Sequence, residues 1–451
     1  MTGMTRYLRT LFVAALAVAI LAGCSESTLP QATGKGSIDA LNAMPGSPAI
    51  SFLIEERLLG GVGYKDTLGG QLFDDLSYDF RFQYTPLGET QPIPLATQFI
   101  DMAADTNYTL VLTGSVAAPV VTQWERPARE FDGAETVFEA AFAHLSPALG
   151  DVDMYLGLTG TAPVLGEERA KLSYGDQVPE IELETGQYEV TLTARDDPAT
   201  ILYKSHDTFL QARISYTITI FDADPTITGN ISVRLISVAG QTQGLPDSNF
   251  LPTLRTVHTA FGTLNFDIFR DMDFSAPIFS DLAFGQSTGD VPVGEGIVNY
   301  TYTEVGEPTE IISDATQLIT RGLRTSTFIH GQAGGVLSRI IMIDNRRPID
   351  THAKLRFIHT AFNMQAMDLY LVEVGTDITD RFPLIRSMVI GFSSDFSATV
   401  AGDYEVILTA LDDKIPLLPP IPMNLVNGDV VEMIIMNSVD PLVPDVLITP
   451  F

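Results

Sequence analysis

A motif that recurs at intervals of 101 to 114 residues constrains the fold of this chain more than any other feature of its sequence. In three copies a histidine stands nine positions before an aspartate, which is followed by an apolar and an aromatic residue. The three pairs are His144 and Asp153, His258 and Asp267, and His359 and Asp368. A fourth, diverged copy has Asn42 and Ser51 at these two positions. The sequence therefore contains four copies of one unit.

The length of the repeat indicates the kind of fold. Solenoid repeats are ~20–50 residues long, whereas an immunoglobulin-like β-sandwich takes about 100 residues. The segments between turns are short and rich in Val, Ile, Thr, Tyr and Phe, and apolar residues at helical spacing are scarce. The sequence therefore predicts an all-β chain of four tandem antiparallel β-sandwich domains.

Alternation along the strands assigns residues to faces. The apolar residues around the motif aspartates are predicted to point into the sandwich cores: Val152, Met154, Leu156, Phe266, Ile268, Leu369 and Leu371. The aspartates would then face outward or toward a sheet edge. We predict that each motif histidine hydrogen-bonds the aspartate nine residues later, which would pin two strands and raise the histidine pKa. A metal or acid–base role is the alternative, but a catalytic site needs several groups in one pocket and these histidines occur once per unit.

Polar segments rich in glycine and proline mark the boundaries between units. Residues 124–133, 239–252 and 344–352 are predicted linkers, which leaves sandwich repeats at 37–123 (the diverged copy), 134–238, 253–343 and 353–451. Strands of ~5–8 residues rise ~3.4 Å per residue, so four such domains in line would extend on the order of 100 Å.

The motif, followed by a glycine turn and a strand with tyrosine and threonine, resembles the bacterial domain of unknown function 4397. The resemblance is best in copies two and four, which contain Gly186-Gln187-Tyr188 and Gly402-Asp403-Tyr404. It implies tandem immunoglobulin-like domains in a secreted or lipid-anchored protein. It implies no chemistry, because no activity is established for that family as a class.

The N-terminus predicts export. Arg6 and Arg9 precede the apolar run 11–21, which is shorter than the ~20 residues that span a bilayer. Residues 1–23 are therefore predicted to be a signal peptide, ending before Cys24, the only cysteine. The sequence Leu-Ala-Gly-Cys at 21–24 resembles the bacterial lipobox, which implies that the Cys24 thiol is lipidated and that residues 24–36 form a tether. In lipoproteins of Gram-negative bacteria, the pattern reserves aspartate at the position after the cysteine for retention in the inner membrane. Ser25 at this position therefore favours the outer membrane.

Composition narrows the choice of partners. The chain has 26 basic and 56 acidic residues, a net charge of −30, and this acidity argues against a nucleic-acid partner. A single cysteine excludes intrachain disulfides and multi-cysteine metal sites. No cofactor is predicted. The expected partners are the membrane, through the lipid anchor, and an envelope protein or a glycan.

Two further patterns are weak signals of chemistry. Residues 285–289 match the G-x-S-x-G motif around Ser287, but their flanks do not predict the strand-to-helix turn that a nucleophilic serine needs. Acidic pairs such as Asp196-Asp197 and Asp412-Asp413 suggest calcium, although none matches an EF-hand loop, and a solvated acidic surface explains them as well.

Together these observations predict a lipid-anchored, non-enzymatic protein of the cell envelope. Its tandem domains would act as a scaffold, a spacer or an adhesion module. The first alternative is a carbohydrate- or peptide-binding surface module, with or without calcium at the domain joints. A serine hydrolase is a remote alternative.

Overall fold

The computed structural model describes residues 31–451, and all regular secondary structure in this range is β-strand. No helix with the length and hydropathy of a membrane span occurs in it. The predicted signal peptide and Cys24 lie outside the described residues, as does most of the predicted tether. The prediction of an all-β chain with tandem sandwiches is confirmed.

The strands form four units, numbered in chain order. The strands of unit 1 are β1 Lys35–Asn42, β2 Ile50–Ile54, β3 Arg57–Val62, β4 Thr67–Asp74, β5 Ser77–Tyr84, β6 Ile93–Asp101, β7 Thr106–Ser115 and β8 Ala118–Pro127. The strands of unit 2 are β9 Val137–His144, β10 Val152–Leu158, β11 Ala170–Leu172, β12 Gln177–Glu184, β13 Gly186–Ala194, β14 Asp197–Lys204, β15 Thr208–Leu210, β16 Ser215–Asp222, β17 Ile231–Ser237 and β18 Thr242–Leu245.

Units 3 and 4 repeat the pattern of unit 1. The strands of unit 3 are β19 Thr253–Phe261, β20 Phe266–Arg270, β21 Phe279–Leu282, β22 Val291–Pro292, β23 Gly296–Glu304, β24 Glu307–Ile319, β25 Arg324–Gln332 and β26 Ser338–Ile343. The strands of unit 4 are β27 Ala353–His359, β28 Met367–Glu373, β29 Ile385–Met388, β30 Ser397–Thr399, β31 Gly402–Ala410, β32 Ile421–Leu425, β33 Val430–Met436 and β34 Asp445–Pro450.

Two of these strands include residues of the predicted linkers. Strand β8 continues to Pro127 and so contains Trp124, and β18 lies within 239–252. Strand β1 begins at Lys35, within the predicted tether.

Each unit is a sandwich of two sheets, which we call inner and outer. The inner sheets have the strand orders β4-β1-β7-β8, β12-β9-β16-β17-β18, β22-β19-β25-β26 and β30-β27-β33-β34. The outer sheets have the orders β3-β2-β5-β6, β11-β10-β13-β14 (with β15 beside β13), β21-β20-β23-β24 and β29-β28-β31-β32.

One strand pair in each inner sheet is parallel, which the prediction of antiparallel sandwiches did not include. The first strand of each unit pairs in parallel with a strand near the end of the unit, as β1 pairs with β7 and β27 with β33. The outer sheet lies between these strands in the chain, and such a long connection is what a parallel pair requires.

Apolar residues from the facing sheets form one core per unit. The predicted core residues Val152, Met154 and Leu156 lie in the core of unit 2, and Phe266 and Ile268 lie in that of unit 3. Leu369 is buried in unit 4, with Leu371 packed against that core. The alternation of apolar residues therefore predicted correctly which face of the second strand of units 2 to 4 points into the core.

The units pack side by side in two pairs, and not in the line for which the reach of about 100 Å was calculated. The inner sheets of units 1 and 2 face each other through a second apolar layer that includes Leu41, Trp124 and Phe221. The inner sheets of units 3 and 4 do the same through Val257, Phe328 and Ile434. The first strands β1, β9, β19 and β27 are consequently buried on both faces along almost their whole length.

The two pairs meet where the segment between units 3 and 4 contacts unit 1. Arg347 donates from Nη1 to the carbonyl oxygens of Pro45 (2.6 Å) and Ser47 (3.0 Å). The Asp350 amide donates to the Gly46 carbonyl over 2.8 Å. In a further contact between the pairs, the Thr228 amide of unit 2 donates to a carbonyl of unit 3. The contacts of Arg347 join segments about three hundred positions apart in the sequence.

The close packing of units 1 and 2 predicts that alanine substitutions at two glycines destabilise the fold to very different extents. A Cβ on Gly69 would lie 2.7 Å from the Cα of Gly240, whereas a Cβ on Gly61 would meet nothing within 4 Å. We expect Gly69→Ala to lower the free energy of unfolding by about 1–3 kcal/mol, because the two units must move apart. Gly61→Ala should change it by less than about 1 kcal/mol. Urea unfolding of both variants measures this, and equal stabilities would contradict the close packing.

Candidate functional site

The motif histidines lie on the core side of the inner sheets and are fully buried. In all three, Nδ1 accepts the backbone N–H of the residue two positions later: Ser146 to His144 (3.3 Å), Ala260 to His258 (3.2 Å) and Ala361 to His359 (3.2 Å). Nε2 of His144 and of His258 lies 3.1 and 3.3 Å from a carbonyl oxygen of the same following loop. Each of these rings therefore fixes the loop that leaves the first strand.

Unit 1 makes the same contacts with a different side chain. Oδ1 of Asn42 accepts the Met44 amide over 3.0 Å, again two positions later. Its Nδ2 donates to Ser47 Oγ (2.9 Å) and to the Val62 carbonyl (3.2 Å). One acceptor and one donor in a fixed geometry are what the neutral imidazole and the carboxamide share. The replacement of histidine in the diverged copy therefore conserves the role.

The predicted hydrogen bond between each histidine and the aspartate nine residues later is wrong. Among residues 31–451, the hydrogen bonds of His144 and His258 remain within the loop that follows the ring, and the aspartates bind elsewhere. The histidine lies on the inner sheet and points into the core, while the aspartate lies on the outer sheet and points away from it. The spacing of nine residues takes the chain from one sheet to the other, so the two side chains cannot meet.

The histidine pKa values shift in the direction opposite to the prediction. Burial lowers the pKa of His144, and it lowers the pKa of His258 and of His359 to about 4. Desolvation disfavours the charged imidazolium and no carboxylate contacts these rings closely enough to compensate. The rings are therefore neutral at physiological pH.

The motif aspartates hold turns of the outer sheets. Asp368 accepts the amides of Ser387 (2.8 Å) and Asp412 (3.1 Å), two residues with positive φ. Asp267 likewise accepts the amides of Asp281 (3.1 Å) and Gly306 (2.9 Å).

In unit 2, Asp153 accepts the Asp196 amide over 2.8 Å and pairs with Arg195 at 3.3 Å. All three motif carboxylates face away from the core, as predicted, but they are buried under the turns they bind.

The aromatic residue two positions after each aspartate covers the same outward face. Phe269 contacts Phe274 of the following loop, with ring centroids 5.2 Å apart. Tyr370 packs with Ile378 of the corresponding loop in unit 4. The motif therefore describes how a loop is folded over the outer sheet.

Ser287 does not lie in a nucleophile elbow. It forms an isolated bridge with Val257 in the connection between β21 and β22, and the described part of this region contains no helix. Neighbouring residues bind the backbone of the motif histidine: Gly285 donates to the His258 carbonyl, and the His258 amide donates to Gln286. The histidine ring itself is hydrogen-bonded to its own loop, so it is not placed to activate the serine.

The acidic pairs are engaged in turns and ion pairs. Asp197 caps Ala199 and Thr200, Asp412 pairs with Arg386, and Asp224 pairs with Lys65. Within residues 31–451, no three or more His, Cys, Asp and Glu side chains are grouped so as to hold a metal ion.

The interface between units 3 and 4 contains a buried ionic network that the sequence reasoning missed. Glu432 receives hydrogen bonds from Arg255 (2.8 Å) and from Arg356. Arg356 also donates to Asp344 over 2.8 Å, and Asp344 binds Arg346. The side chains of Arg356, Glu432 and Asp344 are at most 1 % exposed. A charge buried to this extent is stable only when it is paired, so the network ties the two inner sheets to one relative position.

A charged residue in an otherwise apolar strand was the signal for this network. Glu432 stands in the strand Val-Val-Glu-Met-Ile-Ile-Met of β33, and Arg356 stands in β27 between Leu355 and Phe357. Continuous apolar strands predict burial on both faces, and a charge within them then requires a buried partner.

Several cavities in the described part of the chain lie between units. One, of about 870 Å³, is a cleft between units 1 and 2 lined by Leu72, Phe131, Phe209 and Arg129 among others. A second cavity of about 580 Å³ lies at the junction of the two pairs and is lined by Tyr64, Lys65, Arg347 and Asp247 among others. Neither brings together the motif histidines and aspartates.

A comparison with protein families agrees with the resemblance to the domain of unknown function 4397 seen in the sequence. The family described as a domain of unknown function, DUF4397, matches residues 252–370. This part of the chain is similar to that family. The match covers unit 3 and continues to Tyr370 in β28, so it contains two copies of the motif, although the sequence reasoning had placed the best resemblance in copies two and four.

Other comparisons are less informative. No curated protein matches the chain. Among solved structures, the Bacillus anthracis TIE protein is similar at 12 % sequence identity, over 90 % of this chain and 69 % of that one. Its TM-score is 0.14, which carries no argument about fold or function.

The ionic network predicts that alanine substitutions of a buried and an exposed arginine lower the free energy of unfolding by different amounts. Arg356→Ala should lower the free energy of unfolding by about 3 kcal/mol or more, because it leaves two buried carboxylates each without one partner. Arg386→Ala removes an exposed ion pair with Asp412 and should leave the free energy of unfolding almost unchanged. Chemical denaturation of the two variants measures both, and a similar small loss in each would contradict the structural importance of the network.

The buried neutral histidines predict a loss of stability in acid. The folded-state pKa of His258 and His359 is about 4, against 6.5 for the free side chain, so the unfolded chain binds protons first. Their contribution to stability is complete above pH 6.5 and falls as the pH decreases toward 4, by up to ~1.4 kcal/mol per pH unit for each ring.

The variant His258→Asn tests this, since Asn42 shows that asparagine makes the same contacts. Its urea midpoint should change less between pH 7 and pH 5 than that of the unmodified chain. Parallel pH dependences would contradict a neutral buried ring.

Proposed function

We propose that the protein is a lipid-anchored, non-enzymatic component of the cell envelope, in which four sandwiches form a fixed scaffold that presents loops and strand edges to a partner. The observation that carries this proposal is the use of the repeated motif. In units 2 to 4 its histidine binds a loop, its aspartate binds turns and, in units 3 and 4, its aromatic residue packs under a loop. The residues that resemble catalytic or metal-binding groups are thus engaged in structure.

The packing of the units favours a scaffold over a spacer. A spacer gains reach from units joined end to end, whereas here the inner sheets bury their faces against each other. Arg347 and Asp350 connect the last linker to the first unit. Such contacts hold loops from different units at fixed distances, which is what a platform for partner binding requires.

The cleft between units 1 and 2 favours a second candidate, a carbohydrate- or peptide-binding module. Phe209 is 54 % exposed and Leu72 is 64 % exposed, and both line this cleft beside Arg129. Aromatic and apolar side chains next to a polar group are typical of ligand pockets. This role is compatible with the scaffold, because the cleft exists only where the two units are paired.

Anchoring is supported by the sequence Leu-Ala-Gly-Cys that ends the apolar leader. In a Gram-negative host, Cys24→Ala should abolish incorporation of labelled fatty acid and transfer the protein from the membrane fraction to the soluble fraction. Ser25→Asp is the matched control: it should keep the label and move the protein to the inner membrane. Label retained in the Cys24→Ala variant would refute the anchor.

A further inference from the structure

The fourth strand of each inner sheet differs among the four units in one informative position. Register counted from the motif histidine, or from Asn42, aligns strands β8, β17, β26 and β34. One position of these strands, on the side that faces the unit's own core, is occupied by Gln123, Leu235, Ile341 and Ile448.

Unit 2 covers this position with a fifth strand of its own. Strand β18 pairs antiparallel with β17, and Leu235 and Leu245 are each 5 % exposed within the core. The hydroxyl of Tyr203, fully buried on the facing sheet, donates to the Leu245 carbonyl over 2.5 Å. The fifth strand therefore supplies both an apolar side chain and a backbone acceptor.

Units 1 and 4 have no fifth strand among the described residues and protect the edge in other ways. In unit 1 the position is polar: Gln123 accepts from Gln98 (3.2 Å) and donates to Glu125 (2.5 Å). In unit 4 the position is Ile448, which is 39 % exposed, and the strand ends two residues later at Pro450, which cannot donate to another strand. Both are common ways of keeping a sheet edge from pairing.

Unit 3 has no covering strand within residues 31–451, and beyond Arg339, which donates to the carbonyls of Ala315 and Thr316, its edge strand is apolar. Strand β26 is the end of its sheet, and Ile341 and Ile343, on the core side, are 44 % and 54 % exposed. After Ile343 the chain turns to Asp344 in the buried ionic network, so it provides no further strand there.

A buried donor without a partner lies beside this edge. The Oε1 atom of Gln317 accepts from Thr327 over 2.8 Å, and Thr327 is directly opposite Ile341. Gln317 is 3 % exposed, yet its Nε2 has no hydrogen-bond partner within the described chain. In unit 2 the buried hydroxyl of Tyr203, which also lies on the fourth strand of the outer sheet, is satisfied by the fifth strand of the inner sheet. An unpaired buried donor and exposed core-side isoleucines together indicate that a strand is missing.

We propose that β26 accepts an extended segment of a partner polypeptide, which adds to unit 3 as an antiparallel fifth strand and places apolar side chains over Ile341 and Ile343. This inference rests on the proposed scaffold function and names its partner class. Strand addition of this kind uses backbone hydrogen bonds for affinity and alternate side chains for specificity. The chain's net charge of −30 disfavours a second copy and favours a neutral or basic segment.

The probe is a synthetic peptide based on the strand that fills this place in unit 2. It copies residues 239–248 with Gln241→Val and Gln243→Val, since these two positions would lie opposite Ile343 and Ile341. The control peptide carries Gln241→Asp and Gln243→Asp. Amide hydrogen exchange of residues 338–343 in the full chain should slow with the valine peptide, half-maximally at or below ~1 mM, and not with the aspartate peptide.

Two variants of the chain test whether the valine peptide binds at β26. Ile341→Asp should weaken binding of the valine peptide at least about tenfold, and Ile343→Asp should act in the same way. Ile297→Asp, at a position that is 80 % exposed on the other sheet of the unit, should bind as the unmodified chain does. All three side chains are substantially exposed, so the fold should be retained, and a melting curve checks this.

Three outcomes of the peptide experiments would overturn the inference, and a fourth outcome, dimerisation, would replace its partner. The three are no protection of β26 at millimolar peptide, equal protection by both peptides, and equal binding by Ile341→Asp. A dimer that protects β26 without peptide and dissociates on Ile341→Asp would assign the edge to a second copy and reject the stated partner. Lipid labelling at Cys24 is independent of all of these, so failure here is distinguishable from failure of the proposed function.

Discussion

The burial of each inner sheet on both faces is the constraint on which the rest of the structure depends. One face of the first strand closes the core of its own unit, and the other face packs against the inner sheet of the neighbouring unit. Burial of apolar area is the main favourable term in such an interface. Because it is not directional, it does not by itself fix how two flat sheets are placed. In units 3 and 4 the ionic network around Arg356 and Glu432 provides that directionality.

The same double burial explains what the motif does. A strand buried on both faces must end in a loop whose backbone groups are satisfied without much water. The imidazole of His258 and the carboxamide of Asn42 both solve this with one acceptor and one donor directed at the following loop. The aspartate solves the equivalent problem on the other sheet, where residues with positive φ turn their amides inward. The histidine and the aspartate of the motif thus have the same task, which is to bind backbone groups of the adjacent loop or turn, one on each sheet.

Sequence reasoning succeeded where one unit is sufficient to explain the pattern. The repeat predicted the all-β units, and alternation around Asp153 placed Met154 in the core. It failed where the pattern depends on contacts between units or between sheets. The spacing of nine residues suggested a pair, but it does not reveal that the chain changes sheets between His144 and Asp153. The face-to-face packing of the units was also missed, although the mainly apolar strand β33, interrupted only by Glu432, is a signal of it.

Pairing of the units also determines which surfaces remain available to a partner. The inner faces are buried against each other, and in units 3 and 4 the motif aromatic residues draw loops over the outer faces. Sheet edges and the clefts between units are therefore the surfaces where recognition can occur. Among the four equivalent edges, unit 2 covers its own, unit 1 makes its edge polar, and unit 4 ends its edge strand in proline. Unit 4 leaves one exposed isoleucine, Ile448, beside its terminal proline, whereas unit 3 leaves both Ile341 and Ile343 on an edge without proline. The proposed partner strand at unit 3 would account for this difference.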